Sequence, residues 1–385
     1  MRFVFIIQGE GRGHFTQALV MREMLTRRGD EVIEVLIGKS EARQVPDFFL
    51  QKIDVPVLTF ESPNFLPSVQ NKRPSLSKSI YFNIGRLPVF VKSMRLIHRR
   101  LEKLQPDMVL NFYELLTGLV YLFTPPDIPL VCIGHQYMFL HDDYVFPRIS
   151  RLELASLRFF TRLTSVRAVR KLALSFYSFP PAPRARVTVV PPLLRKEVLQ
   201  YKPVKGEYIH GYMLNSGYVL DIIAWHRIHP EIALHFFWDE KSAPETWVVM
   251  PGFTLHRIND MQFLHCMNGC KAYATTAGFE SLCEALYLHK PVLMVPVHVE
   301  QKCNAYEAVR VGAGVEASEF DMDRLLQFLP SYRVNPIFRA WADSAEKRVV
   351  KEIDEACARR KSSLYERLYC RIADVLLSRQ SCILF

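Results

Sequence analysis

The residues best suited to chemistry lie in the stretch TTAGFESLCEALYLHKPVLMVPVHVEQKCNA, residues 275–305. Thr275, Thr276 and Gly278 stand directly before a helical run that extends from about Glu280 to Leu288. The first amides of a helix have no intrahelical acceptor, so they attract phosphate, and a glycine allows close approach of an anion. The pattern therefore predicts a phosphate-binding turn at the start of this helix.

Polar residues also follow the strand that comes next. Residues 292–297 form a continuous apolar run typical of a buried parallel strand, and Glu300 and Gln301 come directly after it. Ligands of open α/β sheets bind at the carboxyl ends of the strands, so both side chains are candidates for ligand binding. Glu280, in the first helical turn, is explained equally well as an acid that complements the helix dipole.

A glycine-rich loop near the N-terminus, GEGRGH at residues 9–14, lies between a predicted strand and a predicted helix. A neutral imidazole at His14 could accept a proton from an attacking hydroxyl. The alternatives are a histidine that hydrogen-bonds the loop or one that contacts phosphate. Glu10 is the second candidate base, and its alternative is an exposed carboxylate beside a turn.

The elements that position these residues alternate between strand and helix, which favours an α/β fold. At 385 residues with 49% hydrophobic content, the chain is long enough for two domains, and Pro191 and Pro192 mark a boundary. Residues 46–79 are rich in Pro, Ser and Asn and are predicted to be loops around a short VPVLTF strand. The other predicted strands are residues 2–7, 31–37, 107–111, 130–133, 172–176, 187–190, 208–213, 234–238 and 271–274.

Four segments together resemble the GT-B glycosyltransferases, specifically family 28 and the UDP-glucuronosyltransferase-like enzymes. Residues 275–305 resemble the donor motif of that group, and VFIIQGEGRGHFTQALVMREMLTRRGDEV resembles its first loop. FTLHRINDM resembles the segment before the donor motif, IPLVCIGHQ an acceptor-side strand and loop, and RVTVVPPLLRKEV the crossing between domains. The resemblance covers about residues 1–315 and implies two Rossmann-like domains that face each other across a cleft.

The resemblance also implies domain limits and residue roles. Residues 1–191 would form the acceptor-side domain, 192–365 the donor domain, and 366–385 a C-terminal helix and tail that packs back across the cleft. On the donor side, Glu284 would hold the ribose hydroxyls, Glu300 and Gln301 the sugar, and the backbone at Ile258 the base. The remaining predicted donor residues are Ser216, Gly217, Thr276, Gly278 and Phe279, although the glycine run at LNSGY is shorter than is usual in the group.

The predicted acceptor-side residues come from two loops of the first domain. They are Gly11 and Gly13 of the glycine-rich loop, and His135 and Gln136 at the end of a predicted strand. His135 could equally be a strand-edge histidine whose ring nitrogens are already hydrogen-bonded within the protein. No cofactor or metal is expected, because neither DMDR at residues 321–324 nor the pair Cys266 and Cys270 has the pattern of a metal site.

The eight cysteines show no CxxC pairs, which favours reduced thiols and a cytoplasmic protein, and neither a signal peptide nor a membrane span is predicted. Residues 1–190 hold 26 Lys and Arg against 16 Asp and Glu, whereas the rest holds 23 of each, so the net charge of +10 lies in the first half. Two helical runs there are amphipathic and basic, which suits an anionic membrane surface, although a solvated helix face is the plain alternative. The predicted surface cations are Lys92, Arg95, Arg99, Arg158 and Arg162.

Together these features predict a metal-independent, inverting transfer of a sugar from a nucleotide-diphosphate donor, most simply a UDP-sugar. The predicted acceptor is a lipid or lipid-linked glycan, and the predicted location is the inner face of the cell membrane. Binding to nucleic acid is not expected, since no recognition motif accompanies the basic runs. The alternatives are a nucleotide-sugar hydrolase or 2-epimerase of the same architecture, and a non-catalytic binding protein.

Overall fold

The computed structural model describes residues 1–41, 43–63, 83, 85–214, 216–240 and 243–358. They form two sheets of seven strands each, with the strand orders β3-β2-β1-β4-β5-β6-β7 and β10-β11-β9-β8-β12-β13-β14. All pairs are parallel except β10 with β11. The predicted α/β fold with two Rossmann-like domains is confirmed.

The first sheet contains β1 (Arg2–Gln8), β2 (Glu31–Lys39), β3 (Val57–Glu61), β4 (Met108–Phe112), β5 (Leu130–Gly134), β6 (Arg170–Leu174) and β7 (Val187–Val190). The second contains β8 (Ile209–Met213), β9 (Leu234–Trp238), β10 (Thr246–Met250), β11 (Phe253–Arg257), β12 (Ala272–Thr275), β13 (Val292–Met294) and β14 (Gly314–Glu316). Within β1, Phe3, Phe5 and Ile7 pack on one face and Val4 and Ile6 on the other, so the sheet is buried on both sides. This double burial explains why the strands are continuous apolar runs.

The helices of the first domain are α1 (Arg12–Arg27), α2 (Asp47–Ile53), α3 (Leu87–Leu104), α4 (Leu115–Phe123) and α5 (Arg151–Leu163). Those that follow are α6 (Lys196–Gln200), α7 (Val219–Ile228), α8 (Asp260–Gly269), α9 (Phe279–Tyr287), α10 (Val299–Arg310), α11 (Met322–Phe328) and α12 (Pro336–Asp343). Residues 345–358 are also helical.

Two predicted local features differ from the structure. Residues 46–79 were predicted to be loops around one strand, but α2 lies within them, with Phe49 and Ile53 buried one turn apart. The sequence signal for this helix is Pro46 followed by Asp47 at the helix start and an apolar pair four residues apart. The strand predicted over residues 292–297 is shorter, because β13 ends at Met294.

The C-terminal segment packs back onto the first domain. Helix 345–358 pairs with three arginines of that domain: Arg27 with Glu346 at 2.7 Å, Arg28 with Asp354 at 2.6 Å, and Arg170 with both Glu352 and Glu355. Residues 345–358 thus return to the first domain. The predicted helix and tail at 366–385 lie outside the described residues.

Three histidines form a row across the second sheet, on the adjacent strands β8, β9 and β11. His235 Nδ1 lies 3.2 Å from His256 Nε2, and His210 is fully buried on β8. Burial lowers the pKa of His210 to about 3 and that of His256 to about 4. The row is therefore neutral in the folded protein at neutral pH.

This row predicts a loss of stability in mild acid. Below about pH 6.5 the unfolded chain takes up protons that the folded chain cannot accept, so the free energy of unfolding should fall between about pH 6.5 and pH 4. The slope approaches roughly 1.4 kcal/mol per pH unit for each histidine that is protonated only in the unfolded chain. Urea unfolding at pH 7.0, 6.0 and 5.0 measures it.

The His210→Phe variant should lose part of this pH dependence, whereas replacement of the exposed His265 by Gln should leave it unchanged. Equal slopes in the His210→Phe variant and the unmodified protein would show that the row does not control acid stability.

Candidate functional site

A cavity of about 290 Å³ lies between the two domains, at the carboxyl ends of both sheets. The first domain contributes the loops after β1, β2 and β5, and the second contributes those after β8, β9, β11, β12 and β13. Ligands of open parallel sheets bind at this edge. The predicted site residues that line it are Glu10, Gly11, Gly13, His14, His135, Gln136, Ile258, Thr276, Gly278, Phe279, Glu284, Glu300 and Gln301.

His14 lies in the first turn of α1 and is only 7% exposed. Burial lowers its pKa to about 4, while the contact of Nδ1 with Gln17 Oε1 at 3.5 Å raises it. The ring stacks on Tyr113 with 5.9 Å between ring centres. The imidazole is therefore neutral at physiological pH, which is the state a proton acceptor requires.

Glu10 is held by the rest of the loop. Its Oε1 accepts a hydrogen bond from the Ser40 amide at 2.8 Å, and its Oε2 lies 3.6 Å from Arg43 Nε. Arg43 also reaches Asp239 of the second domain at 3.4 Å. These contacts give Glu10 a structural role in the loop, and its role as a base stays a prediction.

His135 and Gln136 both contact the second domain. His135 Nε2 lies 3.2 Å from Glu307 Oε2, its Nδ1 lies 2.7 Å from the Leu174 carbonyl oxygen, and its ring stacks on Phe279 at 4.0 Å. Burial lowers the pKa of His135, but Glu307, the Leu174 carbonyl and Glu300 together more than offset this, so the net pKa is raised. Gln136 donates to Glu300 at 2.9 Å. The loop predicted to be acceptor-side thus lies directly against the second domain.

The predicted phosphate turn forms the start of α9. Gly278 is the N-cap residue, and no side chain caps the helix. A Cβ at Gly278 would have only Ser281 Oγ nearby, at 3.6 Å, so the space above it is open to the cavity. Ala277, just before it, has a φ of 65°, a left-handed conformation unusual for a residue with a side chain. The helix start thus presents its first amides to the cavity, as phosphate binding requires.

Glu280 does more than complement the helix dipole, which was its predicted role. Its carboxylate accepts a hydrogen bond from Gln17 of α1, so it joins the two domains. Burial raises its pKa, while its own amide and Gln17 lower it. A Cβ at Gly13 would overlap this carboxylate, so the loop glycine is needed for the contact.

Glu284 is 2% exposed and is held in a bidentate ion pair by Arg195, at 2.6 and 2.7 Å. Arg195 also pairs with Asp260. Burial raises the pKa of Glu284, and the Arg195 charge opposes that shift. The predicted ribose acid therefore lines the cavity with its two oxygens already bound to a cation.

The remaining predicted donor residues are placed as follows. Burial raises the pKa of Glu300 to about 7, and Gln301 accepts from the Val297 amide at 2.9 Å. The Ile258 amide donates to the Trp238 carbonyl at 2.9 Å, so this amide is not free to bind a base. Ser216 and Gly217 form a 3₁₀ turn, and Tyr212 and Leu214, from the segment just before it, line the cavity. The predicted contact of Ser216 and Gly217 with phosphate stays untested.

The predicted surface cations lie away from this cavity. Lys92, Arg95 and Arg99 are exposed on one face of α3, and Arg162 is exposed on α5. Arg158 differs from the prediction, because its Nε donates to the Phe139 carbonyl at 3.0 Å and its guanidinium lies over Phe146. Arg158 thus fastens α5 to the domain.

Several links between the domains involve residues that sequence reasoning missed. Arg195, Gln17, Arg43, Asp239 and Glu307 all contact residues far away in the chain. Local patterns give no signal for Gln17 or Glu307. Arg195 lies in the segment that resembles the crossing between domains, three residues after Pro192, which is the one signal that could have found it.

No group of three or more His, Cys, Asp or Glu side chains among the described residues is arranged to hold a metal ion. No helix in the described part of the chain has the length and apolar content needed to span a bilayer.

Comparison with known proteins identifies the family. The model of glycosyl transferase family 1 matches residues 1–333. A comparison with curated protein sequences found no match.

Solved structures of glycosyltransferases share the fold. UGT2 of Phytolacca americana, complexed with UDP-2-fluoro-glucose and pterostilbene, matches with a TM-score of 0.62 and 12% identity over 93% of this chain and 100% of that chain. The glycosyltransferase of kitacinnamycin matches with a TM-score of 0.60 and 16% identity over 92% and 99%. MurG of Acinetobacter baumannii matches with a TM-score of 0.51 and 15% identity over 92% and 100%. The chain therefore belongs to glycosyl transferase family 1 and is a GT-B glycosyltransferase that uses a nucleotide-sugar donor.

Proposed function

We propose that the protein transfers a hexosyl unit from a UDP-sugar to a lipid or lipid-linked glycan at the cytoplasmic face of the cell membrane. The observation that carries the proposal is the interdomain cavity, which has a neutral buried histidine on one side and an uncapped helix start on the other. The UDP linkage is supported by the fold shared with a UGT2 structure that contains UDP-2-fluoro-glucose.

The proposed reaction is a single inverting displacement. An acceptor hydroxyl attacks the anomeric carbon as His14 Nε2 takes its proton, and the bond from that carbon to the diphosphate oxygen breaks. The charge that develops on the leaving diphosphate is stabilised by the α9 amides behind Gly278 and by the Thr276 hydroxyl. Because this stabilisation comes from the protein, transfer should persist in EDTA.

The sugar would lie between Glu300 and Gln136. These two residues hydrogen-bond each other across the cavity at 2.9 Å, so hydroxyls of the sugar would replace that bond on entry. Closure of the two domains over the donor would keep water from the anomeric carbon. Transfer to the acceptor, and not hydrolysis, is then the expected reaction.

The acceptor domain carries a surface suited to anionic lipid. Helices α3, α4 and α5 pack side by side on it, and α3 exposes Lys92, Arg95 and Arg99. Large apolar side chains are exposed on the same helices, including Leu152 at 77% and Phe159 at 61% on α5. Basic residues beside exposed apolar ones are typical of proteins that bind a membrane interface.

The cations of α3 also border a second cavity, of about 590 Å³, together with Lys39 at the end of β2. The two acids that border it, Glu41 and Glu61, are both paired with Arg86. The lining of this cavity therefore carries more positive than negative charge, which supports an acceptor with an anionic group.

The test measures release of nucleoside diphosphate from UDP-, GDP- and dTDP-sugars, with and without membrane lipid extract and EDTA. Release from a UDP-sugar that requires the extract supports the proposal. Release without extract would indicate a hydrolase, and isomerised sugar a 2-epimerase. Failure to release nucleotide from any donor under these conditions contradicts the proposal.

The membrane part is tested by reversing the charges of Lys92, Arg95 and Arg99 to Glu. Since each cation near an anionic surface contributes roughly 1 kcal/mol, affinity for vesicles rich in phosphatidylglycerol should fall by about a hundredfold. Reversal of the exposed donor-domain cations Lys205, Arg227 and Arg333 changes the net charge equally and is the matched control. Equal losses in the two triple variants would contradict a specific α3 surface.

A further inference from the structure

We propose that Glu280 of the donor domain is a positioning residue that acts through Gln17 to set the tautomer of His14 when the domains close. The inference rests on the proposed function, in which His14 is the base. It assigns Glu280 a task that its place in the first turn of a helix does not suggest.

Hydrogen-bond roles fix the direction of this chain of contacts. Gln17 donates its Nε2 amide to Glu280 Oε1, which accepts the hydrogen bond. The Gln17 carbonyl oxygen then faces His14 Nδ1, which lies 3.5 Å away. A carbonyl oxygen only accepts, so this orientation favours a proton on Nδ1 and leaves a lone pair on Nε2.

The surroundings of Glu280, Gln17 and His14 keep these hydrogen-bond directions in place. Gln17 is 1% exposed, so its amide has little access to water as an alternative partner. The His14 ring is held against Tyr113 on one side, and no hydrogen bond joins its Nε2 to any residue that the structure describes. The Glu280 carboxylate fills the space beside Gly13 that any larger residue would occupy. The imidazole is thus oriented with Nδ1 in contact with Gln17 and with Nε2 available to accept a proton.

The chain of contacts exists only when the domains meet. Gln17 and His14 belong to α1 of the acceptor domain, whereas Glu280 lies on α9 of the donor domain, 263 residues away in the chain from Gln17. Glu280 also lies two residues after Gly278, where the donor phosphates are proposed to bind. Closure over a bound donor would therefore orient the base at the moment when it is needed.

The first experiment reads the His14 tautomer directly by nitrogen NMR of protein labelled with ¹⁵N-histidine. The His14→Gln variant identifies the His14 signals among those of the 12 histidines. We expect a proton on Nδ1 in the unmodified protein, and a shift toward Nε2–H in the Gln17→Met and Glu280→Met variants. The Glu280→Gln variant keeps an acceptor but not the charge, so it should give an intermediate population. An unchanged His14 signal in all three variants would overturn the proposal.

The second experiment measures kcat and KM for the same variants with the donor that the unmodified protein uses. Loss of orientation should lower kcat by about ten- to a hundredfold, a part of the usual contribution of a general base, with donor KM little changed. Replacement of the exposed Glu319 by Gln is the control for loss of a donor-domain acid. An inactive unmodified protein refutes the proposed function, whereas an active one whose kcat is unaffected by Gln17→Met and Glu280→Met refutes the role of Glu280.

Discussion

Replacement of His14 by Gln is expected to lower kcat for sugar transfer by about 10²- to 10⁴-fold, the range that a general base contributes. Glutamine is close in size to histidine and can hydrogen-bond within the loop, but it cannot accept the proton of an attacking hydroxyl. Binding of UDP should change little, because the phosphates are proposed to lie against α9. Transfer kinetics and UDP titration measure the two effects separately.

The pH dependence of kcat/KM gives a second, independent test of the role of His14. Burial lowers its pKa to about 4, so the base stays neutral and active as the pH falls through 6.5. The acid limb of kcat/KM should therefore lie near pH 4, although the falling stability of the donor domain has to be measured alongside it. An acid limb near 6.5–7 in a fully folded sample would show that His14 does not limit the reaction, and Glu300, whose pKa burial raises to about 7, would then be the first candidate.

Glu10 provides the comparison for His14. Both of its oxygens contact the β2 loop, so Glu10→Gln is expected to have a much smaller effect on kcat than His14→Gln. The reverse order of effects would assign the base to Glu10 and reduce His14 to a residue that supports the loop.

Most of the fold could be predicted from the sequence because its information is local. Strands buried on both faces are apolar runs, and the loops that bind ligands follow them as GEGRGH and TTAGF do. The same reasoning missed α2, because a seven-residue helix offers one buried pair, Phe49 and Ile53, within a segment rich in turn-forming residues.

The site could be predicted only in part because its decisive contacts join distant parts of the chain. The sequence places His14 and Glu280 each at a helix start, but no periodicity indicates that Gln17 lies between them. Arg158 is the converse case, a residue that was assigned to the surface but makes a specific contact. Its place on a basic helix suggests a free surface cation, yet it is bound to a backbone carbonyl.

Replacement of Arg195 by Met is expected to lower the free energy of unfolding by about 3–5 kcal/mol, the usual cost of removing one partner of a buried ion pair. The substitution leaves Glu284 buried without a cation, and Asp260 loses its contact with the same guanidinium. Lysine is not equivalent, because an ammonium cannot bind both Glu284 oxygens with the planar geometry of a guanidinium. Urea unfolding measures the loss.

The control is Arg27→Met, which breaks the exposed pair with Glu346 and should cost no more than about 1 kcal/mol. The double variant Arg195→Met, Glu284→Met should regain much of the stability, because an apolar pair can replace a buried ionic one at little cost. An Arg195→Met variant as stable as the Arg27→Met control would show that Glu284 does not depend on this cation.

The same pair decides whether Glu284 can also bind ribose. A carboxylate has about four lone-pair positions, and the bidentate contact with Arg195 uses one on each oxygen. One position on each oxygen is left, which is enough for two neighbouring hydroxyls. In the Glu284→Gln variant the side-chain nitrogen can no longer accept, so the affinity for UDP should fall by about tenfold or more, the 1.5–3 kcal/mol of a hydrogen bond to a charged group. Loss of stability without loss of UDP affinity would make Glu284 a purely structural partner of Arg195.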